Sequence, residues 1–206
     1  MIKIFRINAL VLLIIASQSF AATPKELTGV INHFMNMEST SLEIQQVIDW
    51  RFLHANDSIA FRMDIKAGRN FHLDLAGFGM EIYVTEHEMV TINHSRAQIL
   101  YENATPDALI RQLFVGGDLK DARFKRKKSV GEGLHQLDFK FVGDFSDWES
   151  LSVVVDESED LKKMILVDYD GNKYNISLKY RAEFDDFSLP DVDQEYLHYQ
   201  VADLRK

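Results

Sequence analysis

The stretch that most constrains this chain is residues 161–180, LKKMILVDYDGNKYNISLKY. Asp170 and Gly171 are predicted to form a tight turn, because Gly accepts the positive φ of a short hairpin loop and Asp tolerates it. On the returning side Tyr174, Ile176, Leu178 and Tyr180 alternate with Lys173, Asn175, Ser177 and Lys179. A period of two gives one apolar and one wet face, so this is an antiparallel strand lying over a core. The outgoing strand is apolar on both faces, with Met164, Ile165, Leu166 and Val167 in succession. Its second face therefore requires a cover: a helix, another sheet or a ligand.

The same period recurs upstream. Ile48, Trp50 and Phe52 alternate with Asp49 and Arg51, and Phe61, Met63 and Ile65 with Arg62, Asp64 and Lys66. After a turn at residues 67–70, Phe71, Leu73 and Leu75 alternate with His72 and Asp74, and further strands are predicted at 82–84 and 89–93. Five strands on short connections make a meander rather than a parallel sheet. Strands resume at 137–141 and 151–155.

Two helices interrupt this pattern. Thr23, Pro24 and Glu26 form a capped start, and Leu27, Val30, Ile31 and Phe34 then recur at helical spacing over about residues 24–37. Thr105, Pro106 and Asp107 open a second helix, whose stripe is Ala108, Leu109, Leu113 and Phe114. The basic run at 123–128 reads as a solvated turn or strand edge, with a docking site for an acidic partner as its functional alternative. The fold class expected is mainly β (α+β), a single domain with helices packed on a large curved antiparallel sheet.

Residues 1–21 stand apart. Lys3 and Arg6 precede the apolar run 9–16, and Ser19, Phe20 and Ala21 supply a cleavage site, so a secretory signal peptide is expected, cleaved near Ala21. Removing the segment takes the net charge from −9 to −11, which argues against nucleic acid and anionic membranes as electrostatic partners. The chain has no cysteine, hence no disulfide and no lipid-modified N-terminal Cys. The expected location is the periplasm.

Fragments that invite chemistry weaken when their spacing is considered. His87, Glu88 and His94 lack the four-residue spacing of a helical zinc motif. Asp168, Asp170 and Gly171 begin like a calcium loop, but the later ligands and terminal Glu are missing. No nucleophile elbow, phosphate loop or dinucleotide fingerprint occurs. No catalytic residue, cofactor or metal is assigned, and the reading is of a protein that is not an enzyme.

The order of features resembles the LolA family, periplasmic carriers of outer-membrane lipoproteins. The resemblance rests on the first amphipathic helix, on FRMDIKAGRNFHLDL, IYVTEHEMVTINH and TPDALIRQLF, on the two strands of the 161–180 hairpin, and on an ending with Pro190, Asp203 and Arg205. It implies a half-open β-barrel with a lid of helices, and residues 22–206 as one carrier domain. It implies a monomer, not membrane-embedded, that takes lipid acyl chains or lipoproteins from an inner-membrane donor to an outer-membrane acceptor. The cavity and lid would be lined by Trp50, Phe52, Phe61, Met63, Ile65, Phe71, Leu73, Leu75, Leu109, Leu113 and Phe114. The family's lid arginine falls on Ala67, and Arg69 is the candidate to replace it. A lipid-sensing or protein-binding module on the same fold is the alternative, and a hydrolase with dispersed carboxylates a more distant one.

Overall fold

The structure, a computed structural model, describes residues 24–66, 70–85, 87–103, 121–142, 148–184 and 186–205. The alternating segments pair into one twelve-stranded sheet. In chain order these are β1 (Thr40–Trp50), β2 (Ala55–Lys66), β3 (Asn70–Leu75), β4 (Met80–Val84), β5 (Met89–Asn93) and β6 (Gln98–Glu102). There follow β7 (Ala122–Gly131), β8 (Leu134–Phe141), β9 (Trp148–Asp156), β10 (Leu161–Asp168), β11 (Lys173–Tyr180) and β12 (Gln200–Asp203). Across the sheet the order is β12-β6-β5-β4-β3-β2-β1-β11-β10-β9-β8-β7.

Two meanders are thus joined edge to edge, with Leu42 of β1 opposite Tyr180 of β11 and Ile44 opposite Leu178. Neighbouring strands run antiparallel except β12, which lies parallel to β6. The edge strands β12 and β7 do not pair, so the sheet does not close into a barrel. A sheet of this width curls, and side chains from β1–β5 and β7–β11 meet in one continuous core on its inner face.

Helix α1 (Lys25–Met35) buries Leu27, Val30 and Phe34 in that core, as its sequence stripe predicts. A single helical turn, α2 (Val192–Glu195), lies in the C-terminal tail. The expected lid of several helices is reduced, among the described residues, to α1. The second predicted helix, with Leu109, Leu113 and Phe114, lies outside the described residues, as do Arg69 and residues 1–21. No described helix is long and apolar enough to cross a membrane.

Other expectations need correction. The hairpin turn is shifted: Gly171 N–H donates to Asp168 O (3.0 Å), so Tyr169 and Asp170 are its central residues. Gly171 follows them at φ +79°. The Asp168 carboxylate explains the shift, since it accepts from the Asn172 N–H and Nδ2, both at 2.8 Å, and closes the loop from within. Phe52 continues the alternation of β1 in sequence but not in space. β1 ends at Trp50, whose indole N–H donates to Asp57 across the hairpin (2.7 Å). Arg51 N–H is taken by Asn172 Oδ1 (3.0 Å), and the chain reverses with Phe52 73% exposed, off the inner face. The basic run 123–128 is the solvated strand edge its sequence suggested, β7, whereas β6 and β12 were not expected.

The tail supplies a second, smaller core on the outer face. Phe187, Val192, Tyr196 and Tyr199 pack on Tyr83, Val90, Ile92 and Ile99 of β4–β6. That is why these strands are apolar on both sides. On β10 the second face is only partly covered: Ile165 and Val167 are half-buried, while Met164 and Leu166 are buried on the inner face.

The register tests the predicted face directly. Met63 lies opposite Leu73 and Ile65 opposite Phe71, so both strands bury the same side. Met63→Asp places an unpartnered carboxylate at a position 1% exposed, and is expected to cost about 3 kcal/mol or more. A thermal melt that does not move would contradict this assignment of faces.

Candidate functional site

Alternation lays the inner-face side chains in rows across the strands. Tyr180, Leu42, Met63, Leu73 and Ile82 stand opposite one another across five strands. A second row, Phe124, Phe139, Leu151, Leu166, Tyr174 and Ile48, crosses the other half of the sheet. Together they make a broad apolar surface with few polar interruptions.

α1 stands over this surface at the β8–β10 side. His33 Nε2 lies 3.0 Å from Asp160 Oδ1, in the turn between β9 and β10. Along the flank of the helix runs a cleft of about 440 Å³, bounded by Val30 of α1 and by Leu137 and Val155 of the sheet. Its mouth carries Lys25, Glu26, Lys127, His135, Glu157 and Glu159. Gly29 borders it, and a Cβ built there would meet nothing within 4 Å. The size of the cleft falls within the range of small-ligand sites, with three apolar side chains, Val30, Leu137 and Val155, among a majority of charged and polar residues that includes Asp156.

The far end of the face is aromatic. Tyr174 meets Trp148 edge-on at 5.0 Å and Trp50 at 6.2 Å. Burial, then the Asp168 charge and hydrogen bond, push the Tyr174 hydroxyl up to about 12. A second cleft of about 550 Å³ lies there, lined by Asp49, Arg51, His54, Asn56, Glu149 and Lys173 among others. It is larger and also mixed, with Trp50, Ala55 and Val167 among its polar residues, but it sits at the hairpin tips rather than on the apolar face. The cleft beside α1 is therefore the better candidate.

Of the residues singled out from sequence, Met63, Ile65, Phe71, Leu73 and Leu75 are buried on the inner face, and Phe61 and Trp50 are half-buried. They lie on β1–β3, several strands from the cleft. Leu109, Leu113, Phe114 and Arg69 are outside the described residues. Gly29, Val30, Leu137 and Val155 at the cleft were not singled out as site residues, although Val30 lies on the predicted helix stripe. Alternation marks Leu137 as inward-facing, but nothing in sequence places it beside Val30.

The outer face holds the polar network that looks most like catalytic machinery. Ser41 Oγ donates to Asp64 (2.6 Å), and Asp64 stands 3.0 Å from Arg62 Nε and 3.4 Å from His72 Nδ1. His72 Nε2 and His94 Nε2 face the Glu81 carboxylate at 3.2 and 2.9 Å, and Tyr83 O–H donates to it at 2.6 Å. Burial raises the Glu81 carboxyl, but hydrogen bonds from Tyr83, His94 and His72 and the His72 charge outweigh it and leave it below its ordinary value. The order of contacts is wrong for a nucleophile. Ser41 contacts Asp64 rather than an imidazole, and it is 1% exposed. The network instead reaches the tail, since His94 Nδ1 lies 3.1 Å from Tyr199 Oη and His72 packs at 5.6 Å from Phe187. Among the described residues no group of three or more His, Asp or Glu could hold a metal ion.

No family model and no curated protein matches the chain. Among solved structures, an uncharacterized conserved protein from Thermus thermophilus is similar with a TM-score of 0.54 and 14% identity, over 87% of this chain and 98% of that one. A LolA superfamily protein from Nitrosomonas europaea is similar with a TM-score of 0.36 and 11% identity, covering 83% of this chain and 96% of that one. The Mycobacterium tuberculosis lipoprotein LppX gives 0.44 and 10% over 78% and 96%. The first likeness shows a shared fold, and the other two are too distant to carry a functional argument.

α1 is held by burial more than by its ion pair. Phe34→Ala is expected to cost about 3–5 kcal/mol, and His33→Ala, which removes a partly exposed pair, under about 1 kcal/mol. Denaturant melts of the two variants check this, and equal losses would contradict it.

Proposed function

We propose that the chain is a periplasmic carrier that holds acyl chains of lipoproteins, or of another lipid, against the inner face and ferries them toward the outer membrane. The observation that carries this reading is the cleft beside α1, with its apolar side chains Val30, Leu137 and Val155 continuous with the rest of the inner face. In this reading residues 1–21 direct export and the remainder works as one domain. Cargo passes from an inner-membrane donor to an outer-membrane acceptor, and no covalent step is required. Trp50, Phe61, Met63, Ile65, Phe71, Leu73 and Leu75 belong to the same inner face, several strands from the cleft, and cargo reaches them only by spreading across that face. Leu109, Leu113 and Phe114 complete the lid, with Arg69 as its latch.

Energetics limits the cargo. Lifting Leu27, Val30 and Phe34 of α1 off the core exposes three buried side chains, roughly 5–9 kcal/mol at about 1.5–3 each. Burying a methylene returns about 0.8 kcal/mol, so on the order of ten methylenes offset the opening. A long acyl chain meets this requirement and a short acid does not. A near balance is also what allows release, because a ligand shifts the closed state only by its differential affinity.

The test is native mass spectrometry of protein purified without detergent, on the native chain and on Gly29→Phe. The native chain is expected to carry lipid mass. Gly29→Phe sets a bulky side chain at the open rim of the cleft and should lower that mass without a fall in melting temperature, since replacing Gly within a helix is favourable by a few tenths of a kcal/mol or more. A native chain free of lipid, or a variant that keeps it, overturns the proposal.

A further inference from the structure

The net charge of the chain conceals an asymmetry. Residues 121–142 carry six cations against the carboxylates of Asp121, Glu132 and Asp138, while the whole chain is −9. Five of the six, Arg123, Lys125, Arg126, Lys127 and Lys128, fall within six successive residues of β7, and all five are exposed. β7 ends the sheet, with β8 its one neighbour among the described strands. Its register slips between Phe124 and Arg126, so Arg123, Arg126 and Lys128 stand opposite Lys140, Asp138 and Gln136 on the outer side. Lys127 stands opposite Leu137 on the inner side. Positive charge therefore lies on both faces of one rim. Asp138 answers Arg126 at 2.7 Å and Lys128 at 3.9 Å. Burial raises its carboxyl, but Arg126, Gln136, Ser152 and Lys128 outweigh that and hold it at about 2.

We propose that the β7 edge is a docking surface for an anionic lipid bilayer. A second register slip, between Ser129 and Gly131, leaves this ten-residue edge irregular at both ends. Bulges and closely spaced lysines are how sheet edges refuse an added strand, which disfavours an acidic peptide as the occupant. A bilayer asks for no ladder. It asks only that cations reach the headgroup plane, and long basic side chains on both faces of a strand do so by extending along it. The strand spans about 33 Å, and its partly exposed Phe124 and Val130 can enter the interface beside those cations. Lys127 also borders the cleft beside α1, so docking brings the cleft mouth to the lipid. That last consequence rests on the carrier reading, whereas the docking itself does not.

The test is sedimentation of the purified chain, processed as the cell leaves it, with vesicles of equimolar phosphatidylglycerol and phosphatidylcholine or of phosphatidylcholine alone. Binding is expected on the anionic vesicles only, fading as sodium chloride rises from about 0.05 to about 0.5 M. Each cation near an anionic surface contributes about fivefold, so Lys125→Glu with Lys127→Glu should lower partitioning by at least about tenfold. The same charge change at Lys173 and Lys179, exposed on β11, should leave most of it. Equal binding to both vesicles, salt-insensitive binding, or an unaffected β7 variant overturns the proposal. So does capture of the chain on immobilised polyglutamate without any vesicle binding, which would assign the strip to an acidic polypeptide. If the β7 variant does not fold, the salt series on the native chain decides. Vesicle binding by a chain that carries no lipid would count against the carrier reading and leave the docking surface standing, and the reverse result would do the opposite.

Discussion

Twelve strands at about 4.8 Å spacing make a face some 55 Å across, and the inner side of this one is mostly apolar from β8 to β5. Leaving such a face in water forfeits the main favourable term in folding. A helix is about 10 Å wide and α1 about 16 Å long, so it covers roughly two strands. Curling brings distant rows together and accounts for much of the rest. The residual misfit between a wide sheet and a short helix is the cleft beside α1. Storage space of this kind follows from the mismatch itself, with no need for a specialised pocket.

The outer face solves its own burial locally. Only β4–β6 are apolar there, and the C-terminal tail crosses them with Phe187, Val192, Tyr196 and Tyr199. Around this patch Ser41 bonds Asp64, and His72, Glu81, His94 and Tyr199 form a second hydrogen-bonded group, the two meeting at a 3.4 Å Asp64 Oδ2–His72 Nδ1 contact that is not a hydrogen bond. Lys66 adds an ion pair to Asp186 at 2.6 Å, and Arg205 reaches Glu88 while lying over the Tyr101 ring. Buried polar groups are costly unless partnered, so the network reads as fixing the tail. The two faces divide the work. One is tied down by polar contacts, and the other is held mainly by apolar burial, with His33 and Asp160 as a polar contact at its margin.

How much of this could be read from sequence depends on how local the cause was. Alternation in β2 and β3 places Met63 against Leu73 because burial of one face fixes register. It misplaces Phe52, because period two continues in the letters after hydrogen bonds at Trp50 and Arg51 have ended the strand. The pairing of β1 with β11 joins residues more than a hundred apart, and no local pattern announces it. Tail residues 187–199 show no period because they pack over several strands, and only β12 runs along one. β7 was legible only as a charged edge, since five cations in six residues erase any alternation. Gly29 carries no signal in sequence, and its place at the rim of the cleft appears only once α1 is seen beside Leu137 and Val155.

The central claim is that cargo takes the place of α1 on the inner face. Backbone hydrogen exchange, followed residue by residue with and without palmitoyl lysophosphatidylcholine, measures this most directly. The account expects the amides of α1 to exchange faster when the lipid is bound, while those of β4–β6 and the tail keep their rates. Unchanged exchange in α1 at saturating lipid, or changes confined to the outer-face tail, would contradict it.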